Sequence, residues 1–294
     1  MSNNHRADFI LVITTLLASA GWIFSREAIQ VLPSSGFIGL RFILASLILL
    51  PFCYHGLLSI DRRSLIGASS VGCFLGSAIL LWIYAISQSD SLGEGAFIMS
   101  LSMLFAPIVT WLFFKNRPPR IFWFSLPFAI IGLIYLSQGS TWSLSGSQIW
   151  FVLAALMLAI HFNLNSHFSQ KIPTLVLTCI QLFVTGVLGV FISLFTETWP
   201  ATIGMETWGW LAMSVLIATS LRYALQTAGQ KNTTTANAAI IMILEPVWTV
   251  ILSMLWYDES MGLTKFVGCS LILLSLLIYR GSGKIYSLIR TNKK

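Results

Sequence analysis

Residues 36–54 read GFIGLRFILASLILLPFCY, nineteen positions of which Arg41 alone carries a charge. A helix needs about 20 mostly apolar residues to cross the hydrocarbon core of a bilayer, and this run has that length and composition. Working outward from it, the same alternation of long apolar run and short polar break recurs along the chain. The predicted spans are 8–25, 36–54, 64–87, 93–114, 120–138, 146–166, 174–195, 207–229, 233–256 and 262–280. The breaks carry turn residues, as in Pro33-Ser34-Ser35-Gly36 and Asn116-Arg117-Pro118-Pro119. Over all 294 positions 56% are hydrophobic and 9% charged, with mean hydropathy +0.83. A soluble domain carries about 25% charged residues, so this chain cannot dress its own surface in water. The fold expected is an all-α membrane protein of ten transmembrane helices, with no length left for a soluble domain of ordinary size.

The formal charge of +7 has a membrane explanation, and nucleic acid is not expected as a partner. With the N-terminus inside, the cytoplasmic side holds Arg6, Arg62, Arg63, Lys115, Arg117, Arg120, Lys171, Lys231, Arg280, Lys284, Arg290, Lys293 and Lys294. The outer side holds Arg26 and Lys265, while Arg41 and Arg222 fall within spans. Thirteen cations against two place both termini in the cytoplasm by the positive-inside rule. The outer connections carry Asp90, Glu197, Glu206, Asp258 and Glu259 instead. A bacterial-type inner membrane is the expected location. The four cysteines (Cys53, Cys73, Cys179, Cys269) lie in or beside apolar runs and read as small buried residues. Arg6, the first apolar run and Ala18-Ser19-Ala20 resemble a cleavable signal peptide, but the repeat described next needs that segment as a helix.

Displacing the chain on itself by 139 residues brings Tyr84-Ala85 onto Tyr223-Ala224, Pro107 onto Pro246 and Thr110 onto Thr249. A displacement of 140 brings Pro33 onto Pro173, Arg41 onto Gln181 and Trp22 onto Phe162. This divides the chain into residues 1–139, residues 140–281 and a basic tail, 282–294. Five helices per half is an odd number, so the two halves enter the membrane from opposite sides. Inverted repeats of this kind place two equivalent gates around one central site, the geometry of alternating access.

Gly21-Trp22 followed by Arg26, Pro33 and Gly39-Leu40-Arg41-Phe42 resembles the opening of the drug/metabolite transporter superfamily, EamA type. The second half adds Leu244-Glu245-Pro246-Val247, Asp258-Glu259 and Gly268-Cys269-Ser270-Leu271-Ile272. The resemblance spans the chain and implies ten helices in two inverted repeats around a substrate cavity. It also implies export of amino acids or similar small metabolites. The first half departs from the pattern, since Lys115-Asn116-Arg117-Pro118-Pro119 stands where the second half has the acidic turn.

Charge inside a span costs at least ~2.5 kcal/mol and normally faces a cavity or a partner. Glu245 lies mid-way in the ninth span before Pro246, whose missing N–H leaves the Met242 carbonyl without its helical donor. That carboxylate either binds a cationic group or carries a proton, or is paired with an arginine for packing alone. Asn237, Ile241, Glu245 and Trp248 share one helical face by spacing and are expected to line the same cavity. Arg222, beside Tyr223 and one turn before Gln226, either pairs with Glu245 or takes a substrate carboxylate, or snorkels to the headgroups. Arg41 is an anchor for substrate or outer gate, unless it too snorkels. Trp22, Trp82 and Tyr84 are candidate walls of the cavity, and Asn163 is a candidate donor to substrate, against the alternative of helix packing. Pro107 and Pro246 are candidate hinges.

No phosphate-binding loop is present, because Gly281-Ser282-Gly283-Lys284 lacks both the leading glycine and the trailing hydroxyl. No metal site is expected, since His161 has no partner at ligand spacing, and no cofactor is implied. The expected partners are a small-molecule substrate, protons if transport is coupled through Glu245, and membrane lipids, with the protein a monomer or homodimer. A lipid flippase or a lipid-modifying membrane enzyme is the alternative.

Overall fold

The computed structural model describes residues 3–87, 92–115, 117–137, 146–257 and 262–291. The expectations placed on Asp90, Asn116, the Asp258-Glu259 turn and the last three residues lie outside the described residues. Within them the chain forms helices α1 (Asn3–Ala28), α2 (Ser34–Leu58), α3 (Arg62–Ser87), α4 (Leu92–Phe114), α5 (Arg120–Ser137), α6 (Gly146–Phe168) and α7 (Thr174–Thr196). They are followed by α8 (Met205–Val215), a π-helical turn (Leu216–Leu221), α9 (Arg222–Lys231), α10 (Thr235–Met242), α11 (Glu245–Tyr257) and α12 (Leu263–Thr291). No strand occurs among the described residues.

Among the described residues six helical stretches are long and apolar enough to cross a membrane: His5–Ala28, Ser34–Leu58, Arg62–Ala85, Ile149–Phe168, Thr174–Thr196 and Thr235–Tyr257. Shorter apolar helices cover 99–113, 120–135 and 266–279. Large apolar side chains lie on the outside, among them Leu112, Leu194, Phe195 and Leu255, each at least 70% exposed. In water such an exterior would cost about 25 cal/mol for every Å²; against lipid it costs nothing.

The helix starts follow from local chemistry. Pro33 and Pro173 precede α2 and α7 in near-identical extended conformations, at ψ 136° in both. The α2 N-terminus is completed from far along the chain, for the backbone N–H groups of Ser35 and Gly36 donate to the two carboxylate oxygens of Glu197 at 2.8 and 2.9 Å. A carboxylate is favoured there both by the orphan donors and by the helix dipole. Asp61 caps α3 by accepting from Arg63 and Ser64, and the Ser64 hydrogen bonds hold its carboxyl below the usual range.

Two spans are not the uniform helices that hydropathy suggests. The eighth changes to π geometry at Leu216–Leu221, and the ninth breaks between α10 and α11 at Ile243-Leu244. The break is the expected effect of Pro246, which cannot donate to Met242. The tenth, α12, continues to Thr291, beyond the end at 280 that hydropathy marks.

Helices α2 and α7 touch backbone to backbone. A Cβ added to Gly189 would lie 2.7 Å from the Gly39 nitrogen, and one added to Gly39 would lie 2.6 Å from that of Val190. Glycine is required because no side chain fits between the two rods. Helix α1 runs beside the broken ninth span along most of its length. Asn237 donates to Asp8 at 2.6 Å, Trp248 to Thr15 at 3.1 Å, Ser19 to the Glu245 carbonyl at 2.9 Å, and Tyr257 to Glu27 at 2.7 Å. The cavity described below opens beside this seam.

Candidate functional site

A cavity of about 320 Å³ lies inside the bundle, walled by residues from both sequence halves. Its surface is mostly apolar, with Phe37, Phe42, Ile79, Met99 and Leu133 on the lining. Three charged side chains of the lining converge on it: Arg41, Arg222 and Glu245.

Glu245 is the first residue of α11, at the break that Pro246 imposes. Its side chain accepts from the Trp22 indole at 3.2 Å and stands 3.9 Å from the Arg222 guanidinium. Both members of the ion pair are partly accessible, at 16% for Arg222 and 23% for Glu245. The pair is looser than a charge-assisted hydrogen bond of 2.7–2.9 Å. Trp22 is braced in turn by Trp82, edge to face at 5.1 Å. Thus α1, α3, α9 and α11 each contribute one side chain to a single constellation.

Arg41 is held differently. Its guanidinium donates to the Thr219 hydroxyl, to Ser25 at 2.9 Å and to the Ala218 carbonyl at 3.1 Å. The π turn makes the last of these available. The Arg222 N–H donates to Ile217 and Thr219, skipping the Ala218 carbonyl that an α-helix would have used. The hydroxyls of Thr219 and Ser220 bond back five residues, to Ser214 at 2.9 Å and Val215 at 2.8 Å. Gly21 lets α1 come close enough, since a Cβ there would lie 2.7 Å from that of Ala218. Arg41 also lies over the rings of Phe37 and Phe42, at 5.8 and 5.6 Å from their centroids. Every group holding Arg41 is neutral.

Other lining residues hold buried polar atoms with no hydrogen-bond partner among the described residues: Arg222 Nε, Gln226 Oε1, His161 Nδ1 and Ser102 Oγ. Such atoms each cost about 1–3 kcal/mol when left unpaired, and native proteins keep few of them away from functional sites. The other His161 nitrogen bonds Gln181 at 3.0 Å, which in turn donates to Thr227 at 3.4 Å.

Of the residues singled out from sequence, the cavity brings together Glu245, Arg222, Arg41, Trp22, Trp82 and Pro246. Five others lie off its lining. Tyr84 is about half exposed and packs on Trp150 at 5.3 Å. Asn163 is buried and spends its amide on the Ala106 and Ala159 carbonyls, at 2.8 and 2.9 Å. Asn237 and Trp248 do share a face with Glu245, but that face packs on α1. Pro107 lies inside an unbroken α4, unlike Pro246. The sequence offered His161 only as an improbable metal ligand and Gln226 only as a neighbour of Arg222, and it did not mark Ser102 or the π turn. The back-bonding pair Thr219-Ser220 inside a span was the available signal. Among the described residues no cluster of metal-ligating side chains occurs.

Comparison with known proteins gives a consistent family. A model described as the EamA-like transporter family matches twice, over residues 5–138 and 146–280. A curated protein of Archaeoglobus fulgidus, named an uncharacterized transporter, is 26% identical over 274 residues, covering 92% of this chain and 85% of its own. A second from that organism, named likewise, is 24% identical over 240 residues, covering 81% and 84%. A solved crystal structure superposes with a TM-score of 0.81 at 13% identity, covering 93% of this chain and 96% of its own; it attests the fold.

Proposed function

Because the chain belongs to the EamA-like transporter family, we propose that it is a secondary transporter that exports small organic metabolites across a bacterial-type inner membrane by alternating access. Amino acids, the class its sequence resemblance implies, are the first panel to test. The helices group into ten spans if α8, the π turn and α9 count as one and α10 with α11 as another. Two matches to one family model over 5–138 and 146–280 support a repeat; an odd number of five spans per half would invert it, and the cation distribution in the loops favours cytoplasmic termini.

One observation carries the mechanism. The Glu245 carboxylate stands at a helix break, in an apolar cavity walled by both halves, in a loose pair with Arg222 at 3.9 Å. A pair this loose can open. Protonating Glu245 removes its attraction for Arg222 and frees the guanidinium for substrate. Losing the proton restores the pair and disfavours a bound anion. Occupancy of the site by substrate and by proton is thereby linked. The helix break lets α11 tilt without dragging α10, because no backbone hydrogen bond from Pro246 ties them.

The test is flux in proteoliposomes over a broad metabolite panel, with and without an imposed proton gradient, wild type beside Glu245→Gln. We expect flux that follows the gradient in wild type and loses that response in the variant. Flux insensitive to the gradient and unchanged in the variant would leave a facilitator in which Glu245 is structural. No flux of any soluble metabolite, with lipid movement instead, would replace the reading by a lipid flippase.

A further inference from the structure

The charge on the cavity wall restricts what it accepts. Among the described residues the charged groups of the lining are two guanidiniums, Arg41 and Arg222, and one carboxylate, Glu245. With Glu245 ionised one positive charge is left over; with it protonated, two are. No protonation state makes the wall neutral or negative. The Arg41 charge is met by two hydroxyls and a carbonyl, which take one bond from each of its three nitrogens without cancelling it. An uncompensated cation in an apolar site is costly, and a ligand that supplies the missing charge gains what the empty site lacks.

We propose that the cavity takes an organic monoanion, a carboxylate on an apolar body about the size of one ring, in preference to a zwitterion of the same skeleton. This rests on the transporter reading above and narrows its cargo. The carboxylate fits the guanidinium side, where Arg222 keeps a buried Nε with no partner and where planar bidentate pairing is favoured. The body fits the wall formed by Trp22, Trp82, Phe37, Phe42 and Ile79. The Gln226 amide and Ser102 hydroxyl, both buried with an unmatched polar atom, provide for one further hydrogen-bonding group on the cargo. An ammonium group is disfavoured, because it adds positive charge to a site already in excess. A zwitterion brings no net charge and leaves the excess in place. The cavity of about 320 Å³ lies at the small end of the roughly 300–1,000 Å³ typical of ligand pockets, which suits a body of one ring.

Equilibrium binding by calorimetry on the purified full chain in detergent tests this with three ring-matched probes: 3-phenylpropionate, phenylalanine and phenethylamine. Binding rather than flux is read, so leakage of the free acid through lipid does not intrude. We expect 3-phenylpropionate to bind about tenfold or more tighter than phenylalanine, a difference of ~1.4 kcal/mol, and phenethylamine not to bind. Arg41→Gln should bring the ratio of the first two toward one, whereas Arg41→Lys should keep it. Because the ratio is read within each variant, partial loss of folded protein does not mimic the result. Phenylalanine binding as tightly as 3-phenylpropionate in wild type would overturn the proposal while the flux assay still upheld a transporter. A ratio unmoved by Arg41→Gln would overturn the role of the wall charge. Binding of none of the three would also overturn the proposal, and the flux panel would then judge the transporter reading separately.

Discussion

A carboxylate inside a membrane span has three stabilising options: a cation, hydrogen-bond donors, or a proton. Glu245 uses a share of each of the first two. The Trp22 N–H supplies a donor at 3.2 Å and Arg222 a charge at 3.9 Å, and neither is at full strength. That incompleteness separates this site from a structural salt bridge, in which the geometry would be bidentate and closed. It also assigns Trp22 two roles, as wall of the cavity and as holder of the carboxylate. Trp22→Phe keeps the wall and removes the N–H. A hydrogen bond to a charged group is worth ~1.5–3 kcal/mol; losing this donor disfavours the ionised Glu245 that holds Arg222 away from cargo, so the variant should bind anionic cargo up to about tenfold more tightly, seen as a lowered KM with maximal flux nearly preserved. A fall in maximal flux at constant KM would show that the indole N–H acts in the conformational step instead. The contribution of Glu245 was legible in sequence because charge in an apolar run is conspicuous. That of Gln226 and His161 was not, since a polar residue in a span reads equally as packing until its unpaired atom is seen.

At the scale of elements, the two prolines matched by the 139-residue displacement behave differently. Pro107 sits inside α4, which continues through it, whereas Pro246 coincides with the separation of α10 from α11. Proline in a helix interior costs about 3 kcal/mol, and the ninth span relieves this by breaking. Pro246→Ala restores the missing donor and favours a continuous rod. Maximal flux should then fall about tenfold, equivalent to ~1.4 kcal/mol on the rate-limiting barrier, while thermal stability in detergent rises. Pro107→Ala should change flux far less. Equal effects would remove the hinge role from the break. The π turn shows the converse case, an irregular segment with no proline or glycine to announce it. It coincides with the back-bonding hydroxyls of Thr219 and Ser220 and frees the Ala218 carbonyl for Arg41, so the group that uses it lies in another helix and hydropathy could not have revealed it.

The whole molecule is arranged so that contacts between halves run the length of the bundle. Helix α1 is bonded to α10 near one end through Asp8 and Asn237 and to α11 near the other through Glu27 and Tyr257. The cation over that second contact, Arg26 at 4.5 Å from the Tyr257 ring, is one of the two assigned to the outer side. The alternating access proposed above would open one end of the seam while the other holds. The orientation it needs is testable directly. A fluorescent protein fused after residue 282 should fluoresce, being cytoplasmic, and alkaline phosphatase inserted at Gly204 should be active, being outside. The opposite pair of results would overturn the orientation that thirteen cations against two imply.

The amino-acid sequence by itself determined that this is a helical membrane protein and roughly where most of its helices run. Apolar length and scarcity of charge are properties of each segment alone, and lipid leaves the backbone no alternative to internal hydrogen bonding. It also singled out Glu245, Arg222 and Arg41, since each is anomalous against its own span. Only the tertiary structure decided which anomalies meet. Trp22 and Trp82 came to the cavity while Tyr84, Asn163 and Trp248 went to helix contacts, because helical spacing gives a residue's face but not what that face meets. The excess positive charge of the cavity is likewise a sum over α2, α9 and α11, three segments that have no relation until the bundle closes.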